Sequence, residues 1–300
     1  MSKQGNELSF TGERFIPTEE GSIAYEHLHR YAFACDYVSG KTVLDVACGE
    51  GYGSSLLAKR AEKVIGVDLS EDTILHAREK YGNQPKIEFF CGSAADIPCK
   101  TGYFDVVVSF ETIEHLAEHD RMFDEIKRVL KEDGVLIISS PNKKTHTDDS
   151  GLKNKFHVKE LYLQEFIDVL SSKFKHVSSM GQRLTVSSHL WPLEKKSNNI
   201  EFTHYFGDVL KFDSSVSAPY EALYFVAICT DLTNPDYGIG HASLFTEKSD
   251  LLYASYIKFP TQIAEKDHQI QALLNSWSWR ITAPLRKIGT SLNKLIGKFK

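Results

Sequence analysis

Cysteine is scarce in this chain. Of 300 residues only five are cysteine (Cys35, Cys48, Cys91, Cys99 and Cys229), an odd number with no Cys-x-x-Cys pair. Neither a disulfide framework nor a zinc knuckle is expected, and a reducing, cytoplasmic setting fits. Long apolar runs are also missing: nothing approaches the ~18 uncharged apolar residues of a membrane-spanning helix. Residues 1–20 are polar, without an apolar stretch of signal-peptide type. There is no basic excess. A formal charge of -5 argues against nucleic acid as a partner. Internal repeats are absent, and acidic residues are missing from position 268 to the end.

From 41 to 142 short apolar runs alternate with amphipathic stretches. Strands are predicted at 42–47, 63–68, 86–91, 104–109 and 135–140, with helices near 54–60, 71–81 and 119–130. Strands rich in Val, Ile and Leu that alternate with helices imply an α/β fold, a parallel sheet covered on both faces. A helix is predicted at 23–39, an amphipathic helix at 159–173 and a late strand at 221–230, while 181–217 reads as an irregular, aromatic insertion. The expected division is an N-terminal helical cap at 1–40, the α/β domain at 41–232, an amphipathic or coiled-coil helix at 245–276 suited to homo-oligomer pairing, and a basic, aromatic tail at 277–300.

The segment Asp45-Val46-Ala47-Cys48-Gly49-Glu50-Gly51-Tyr52-Gly53 follows a predicted strand and leads into a helix. In that context Gly49 and Gly51 let the backbone bend sharply and approach a ligand. The next strand ends at Asp68, whose carboxylate can accept both hydroxyls of a ribose. Nicotinamide dinucleotides and S-adenosylmethionine are both bound on this plan. The glycines fall as Gly49-x-Gly51-x-Gly53 rather than Gly-x-Gly-x-x-Gly, and Asp45 stands before the turn, where it can hold an ammonium group. Both details favour S-adenosylmethionine.

The sequence resembles the class I methyltransferase family in four ordered motifs: VLDVACGEGYG, VIGVDLS, CGSAADIP and FDVVVSFETIEHL. The resemblance covers about 41–142. It implies a Rossmann-like, seven-stranded, mostly parallel sheet and S-adenosyl-L-methionine as cofactor. Carried over residue by residue, Asp45, Gly49 and Gly51 would hold the methionine end and Asp68 the ribose. The Ala94 amide, or Asp96, would contact adenine, because Ser93 stands where many members carry an Asp. Phe110 and Glu111 would lie under the cofactor, and Ala47 replaces the commonest first glycine.

For a hydroxyl acceptor a general base is needed, typically worth ~10²–10⁴ in rate. His115, in the run 111–115 after the fourth strand, is the leading candidate, with Glu111 beside it and His157 second. His27 with Tyr31, and His115 with His119, have helical metal-ligand spacing, but no matching carboxylate constellation accompanies them, so no metal is expected. Two flanking segments narrow the acceptor. Glu-Arg-Phe-Ile-Pro at 13–17 and Tyr-Glu-His-x-x-Arg-Tyr at 25–31 resemble methyltransferases of bacterial O-antigen and surface-polysaccharide biosynthesis. There Arg30 would pair with the cofactor carboxylate, and Tyr25, His27 and Tyr31 would line the acceptor pocket.

The stretch 275–286, with Trp277, Trp279, Arg280 and Arg286, resembles a C-terminal segment of glycosyltransferases and methyltransferases of surface-glycan assembly. Tryptophans beside basic residues suit an anionic membrane surface, at roughly 1 kcal/mol per basic residue. A glycosyltransferase is the alternative partner. The expected function is methylation of a sugar hydroxyl or terminal sugar phosphate on a polysaccharide or its lipid-linked precursor, at the inner membrane. The alternatives are methylation of a metabolite, quinone or sugar nucleotide, and a non-enzymatic scaffold in a glycan-assembly complex. The intact Asp45, Gly49, Gly51 and Asp68 weigh against the scaffold.

Overall fold

The computed structural model describes residues 21–189, 204–207, 212–215, 220–233, 235, 242–246, 251–282 and 286. The Glu-Arg-Phe-Ile-Pro stretch and the tail beyond 286 lie outside these residues. Two compact units divide at Thr246 and Glu247.

The first unit alternates helix and strand as the periodicity predicts. Its elements are α1 (Ser22–Ala34), β1 (Thr42–Val46), α2 (Tyr52–Leu57), β2 (Lys63–Asp68), α3 (Glu71–Tyr81), β3 (Ile87–Cys91), β4 (Phe104–Ser109), α4 (His119–Val129), β5 (Leu130–Pro141), α5 (Leu163–Ser171), β6 (His176–Gln182), β7 (His204–Gly207), β8 (Phe212–Ser215) and β9 (Tyr224–Thr230). The start of α3 shows why a helix forms there. Ser70 accepts the Thr73 N–H, Glu71 and Asp72 occupy the first turn, and Arg78 and Lys80 the last.

Seven strands form one sheet in the order β3-β2-β1-β4-β5-β9-β6, and β7 and β8 pair as a separate hairpin. The pairs β1–β2, β2–β3, β1–β4 and β4–β5 are parallel, whereas β9 runs antiparallel to both β5 and β6. Neighbouring strand residues serve opposite faces. Leu44, Val46, Ile65, Val67, Leu136 and Ile138 pack with Met122, Phe123 and Ile126 of α4 and Phe166 of α5. Val43, Val64, Val106, Val108 and Ile137 pack with Tyr31 and Ala34 of α1, Leu57 of α2, and Ile74 and Ala77 of α3. Both faces are therefore covered, which the continuous apolar strands require.

Three elements depart from expectation. The first helix stops at Ala34, and the chain then turns through Gly40 at φ 67° into β1. The helix expected at 159–173 starts at Leu163, because the residues before it are committed elsewhere: Val158 and Lys159 donate to the Glu114 carbonyl, and Leu161 bridges to Asn142. β6 and the β7–β8 hairpin replace parts of the region read as irregular.

The second unit contains α6 (Leu251–Asn275), which includes Pro260, and α7 (Trp277–Ile281). Arg286 stacks on Trp279 with its guanidinium carbon 3.7 Å from the ring centroid. Among the described residues no helix is long and apolar enough to cross a membrane.

Candidate active site

The chain runs outward from β1 to β2 and β3, and outward the other way from β4 to β5. Ligands of open α/β sheets bind at such a reversal, beyond the carboxyl ends of the strands. Just past both strand ends here stands a non-glycine residue with left-handed backbone: Ala47 at φ 57° and Glu111 at φ 50°. That conformation costs roughly 1–2 kcal/mol per residue, and such strain marks functional sites.

Asp68 joins the glycine turn to the end of β2. Its Oδ2 accepts the Gly49 N–H at 2.9 Å and its Oδ1 the Ser70 N–H at 3.0 Å. Gly49 has φ 54°, and a Cβ built on it would meet nothing within 4 Å, so its outer side is open to a ligand. Gly51 differs: at φ 89° its Cβ would come within 2.6 Å of the Phe89 ring. Beyond β3, Ser93 Oγ accepts the Ala95 N–H at 3.1 Å, which shapes the loop carrying half-buried Ala94. Asp96 is exposed.

Asp45 does not present an open carboxylate to an ammonium group. It is fully buried, with Ser54 Oγ donating to Oδ2 at 2.6 Å and Tyr31 OH donating to Oδ1 at 3.1 Å. Burial pushes its pKa to about 7, against the lowering hydrogen bonds of Ser54 and Tyr31 and with a smaller contribution from the Asp68 charge. The tyrosines and the histidine of α1 expected at an acceptor pocket each meet neighbouring aromatic side chains. Tyr31 is 4% exposed and packs edge-on against Phe110 and Tyr52. His27 Nδ1 meets Tyr52 OH at 3.0 Å, and Tyr25 lies edge-on to Phe245.

Arg30 projects from α1 toward the end of β4. It is 2% exposed, stacks on the Tyr224 ring at 4.8 Å, and donates from one guanidinium nitrogen to Gln182 at 2.8 Å. Its other terminal nitrogen lies 4.0 Å from Glu111, and that nitrogen and Nε have no hydrogen-bond partner. Glu111 is held in turn by Ser139, whose hydroxyl donates to the carboxylate at 2.6 Å and accepts the Glu111 N–H at 3.0 Å. Phe110 is a core residue, 6% exposed.

His115 closes a 3-10 turn (Ile113–His115). Its Nδ1–H donates to the Phe156 carbonyl at 3.0 Å, which leaves Nε2 as the basic atom. The pairing of His115 with His119 does not form, since His119 Nε2 donates to the Ile113 carbonyl. His115 instead meets His157 edge-on at 5.1 Å, and His146 stacks on His157 at 5.4 Å. His157 Nδ1 donates to Glu160, and burial lowers the His157 pKa against that bond. Glu114, 1% exposed, sits 3.8 Å from His115 Nε2. Burial first, then the Glu111 charge, pushes it well above the usual carboxylate range. Glu114, His146 and Glu160 were not identified from sequence. The signal for Glu114 was present in the run 111–115, two acids and a histidine after a strand.

Residues 44–138 match the family model described as a methyltransferase domain. A protein of Mycolicibacterium smegmatis, named as a probable S-adenosylmethionine-dependent methyltransferase, is 38% identical over 169 residues, 55% of this chain and 64% of that protein. A demethylmenaquinone methyltransferase of Clavibacter sepedonicus is 32% identical over 119 residues, 39% of this chain and 49% of that protein. The chain thus spans less than two thirds of these relatives. Among solved structures, a chain named as a methyltransferase, in complex with a Haloferax volcanii activator, superposes with a TM-score of 0.51 at 16% identity, covering 71% of this chain and 91% of that one. The fold is the Rossmann-like fold of S-adenosylmethionine-dependent methyltransferases, and fold and relatives imply S-adenosylmethionine as the cofactor. The residues fit it. Gly49 opens onto free space, Asp68 stands beside the glycine turn at the end of β2, and Arg30 offers unsatisfied N–H groups suited to a carboxylate.

Proposed function

We propose that the protein transfers a methyl group from S-adenosylmethionine to an oxygen of a glycan acceptor. The acceptor is a sugar hydroxyl or terminal sugar phosphate of a bacterial surface polysaccharide or its lipid-linked precursor. The convergence of the open Gly49 turn, Asp68 and the unsatisfied Arg30 fork at one sheet edge carries the methyl-transfer reading. The cofactor supplies an electrophilic methyl carbon on a sulfonium centre. The protein's own part is placement: Asp68 and Gly49 fix one end and Arg30 the carboxylate end, so the acceptor oxygen can lie in line with the methyl carbon. For a hydroxyl acceptor in the metal-free protein, the His115 Nε2 lone pair is placed to take the proton.

The glycan assignment is supported by the flanking segments around 13–31 and 275–286, whose sequences resemble surface-glycan enzymes. A basic, aromatic C-terminus would hold the enzyme at an anionic inner-membrane surface, where lipid-linked acceptors lie, or on a glycosyltransferase. A second reading, methylation of a small metabolite or quinone, is favoured by the name of the Clavibacter relative.

Calorimetry with S-adenosylmethionine tests the core of this reading. Wild type is expected to bind, and Asp68→Ala to bind ~10–100-fold more weakly through lost charged hydrogen bonds. No binding by wild type at millimolar cofactor sinks the reading. Labelled cofactor offered with lipid-linked glycan and with soluble quinones or sugar nucleotides then separates the two acceptors. Label in the glycan is the expected result, and label only in a soluble acceptor favours the second reading.

A further inference from the structure

Glu114 is the unexplained group in this structure. Its side chain is 1% exposed, and neither carboxylate oxygen has a hydrogen-bond partner. Leaving a buried polar group unpaired costs about 1–3 kcal/mol, and more for a charged one. An orphaned carboxylate is a reason to look for a cation. The surroundings supply the other donors. Glu114, His115 and one ring nitrogen of His157 lie within 4.8 Å of one another, and Glu114 Oε1 is 3.8 Å from His115 Nε2.

Both histidines are already oriented as ligands are. His115 gives its Nδ1–H to the Phe156 carbonyl, which leaves Nε2 with a free lone pair. His157 gives its Nδ1–H to the Glu160 carboxylate. A metal-bound imidazole almost always donates its other N–H to a carbonyl or carboxylate in this way, which fixes the tautomer and raises ligand basicity. The loop carrying His157 is tied to the strand-end loop as well, because Val158 and Lys159 both donate to the Glu114 carbonyl. The donors are thus fixed relative to each other by backbone.

We propose that Glu114, His115 and His157 form a divalent metal site at the carboxyl edge of β4, next to Glu111. Two imidazoles and one carboxylate favour a first-row transition ion such as Zn²⁺, Mn²⁺, Fe²⁺ or Co²⁺ over Ca²⁺, and leave coordination positions open. Donor–ion distances of ~2.0–2.2 Å require the three groups to close slightly. Ligation through His157 Nε2 would displace the Asn154 amide, which donates to that nitrogen at 3.0 Å. A second set, His146, His157 and Glu160, shares His157. It is the weaker site, because Glu160 already serves as acceptor for His157 Nδ1.

The site itself does not depend on the methyl-transfer reading, but its role rests on it. An ion here occupies the His115 lone pair, so His115 is then a ligand and not a base. The ion holds the acceptor hydroxyl and lowers its proton affinity. The proton passes to solvent, the oxygen bonds to the methyl carbon, and the carbon–sulfur bond breaks, giving a methyl ether and S-adenosylhomocysteine.

The test is titration of the chelator-stripped full chain with Co²⁺, followed by visible ligand-field absorption and calorimetry. One equivalent is expected to bind with a new visible band. His115→Ala and His157→Ala should each weaken it at least tenfold, while His146→Ala keeps it. Absence of a band at millimolar Co²⁺ overturns the proposal. So does loss of binding in His146→Ala with binding kept in His115→Ala, which places the ion on the other set. Cofactor titration of each variant, expected unchanged, shows that the fold survives. Co²⁺ binding without any cofactor binding would sustain the metal site and sink the methyl-transfer reading; the converse would do the reverse.

Discussion

Asp45→Asn is expected to stabilise the ligand-free protein at pH 8. The folded chain raises the Asp45 pKa from an ordinary 3.8 to about 7, chiefly through burial. A raised carboxylate pKa means that the folded state disfavours the charge. The penalty is absent below the unfolded value, grows as pH rises between the two, and is complete above the folded value. Three units correspond to roughly 4 kcal/mol at pH 8 and to less than ~2 kcal/mol at pH 5. Asparagine removes the charge and can still meet Tyr31 OH and Ser54 Oγ, but one amide hydrogen is left without an acceptor, at ~1–3 kcal/mol. The expected net gain is about 1–3 kcal/mol at pH 8, shrinking toward pH 5. Thermal melts at both pH values check it. A variant no more stable than wild type at pH 8, or a gain that does not fall with pH, refutes the account.

The same residue shows how far sequence reasoning reached. Position before the turn puts Asp45 beside the glycine motif, but does not show that Tyr31 and Ser54 cover it. Tyr31 arrives from α1, a separate element, and no local pattern predicts which side of a helix will lie on which strand. The five parallel strands were readable because Val, Ile and Leu must be buried on both faces and the intervening helices show a different period. β6 was not readable. His176–Gln182 is polar and glycine-containing, with no buried residue, and is a strand because β9 offers it a full ladder.

The histidine cluster illustrates the other limit. Sequence spacing joined His115 to His119, which are near neighbours in the chain, whereas the fold joins His115 to His157 and His146 across loops. Convergence of that kind is set by tertiary connections such as the bonds from Val158 and Lys159 to the Glu114 carbonyl. Arg30 is similar: its partners Gln182 and Tyr224 lie on the last two strands of the sheet. Residue types were informative, and partners were not.

Gly53→Ala is expected to be the most damaging single-methyl change in the cofactor motif. Its Cβ would lie 2.0 Å from Cζ of Tyr31 and 2.4 Å from the phenolic oxygen, closer than any real contact. The ring has little freedom to retreat. It is 4% exposed, bonded to Asp45, and wedged edge-on against Tyr52 at 5.3 Å and Phe110 at 5.1 Å. Overpacking of this kind costs ~1–3 kcal/mol and occasionally more, and here the upper end is expected because Tyr31 must leave its site, taking the α1 contact and the Asp45 bond with it. Tyr31→Ala alone opens a cavity, at ~3–5 kcal/mol for a large aromatic. If the two residues oppose each other directly, Gly53→Ala in the Tyr31→Ala background should cost little, giving a coupling of at least ~2 kcal/mol in a urea-unfolding cycle. Additive effects would mean that Gly53 is required for its own backbone and not for the tyrosine. The motif would then have three glycines with two roles. A strong coupling assigns three: Gly49 for open approach, Gly51 for a left-handed turn against Phe89, and Gly53 to let α1 seat its tyrosine over Asp45.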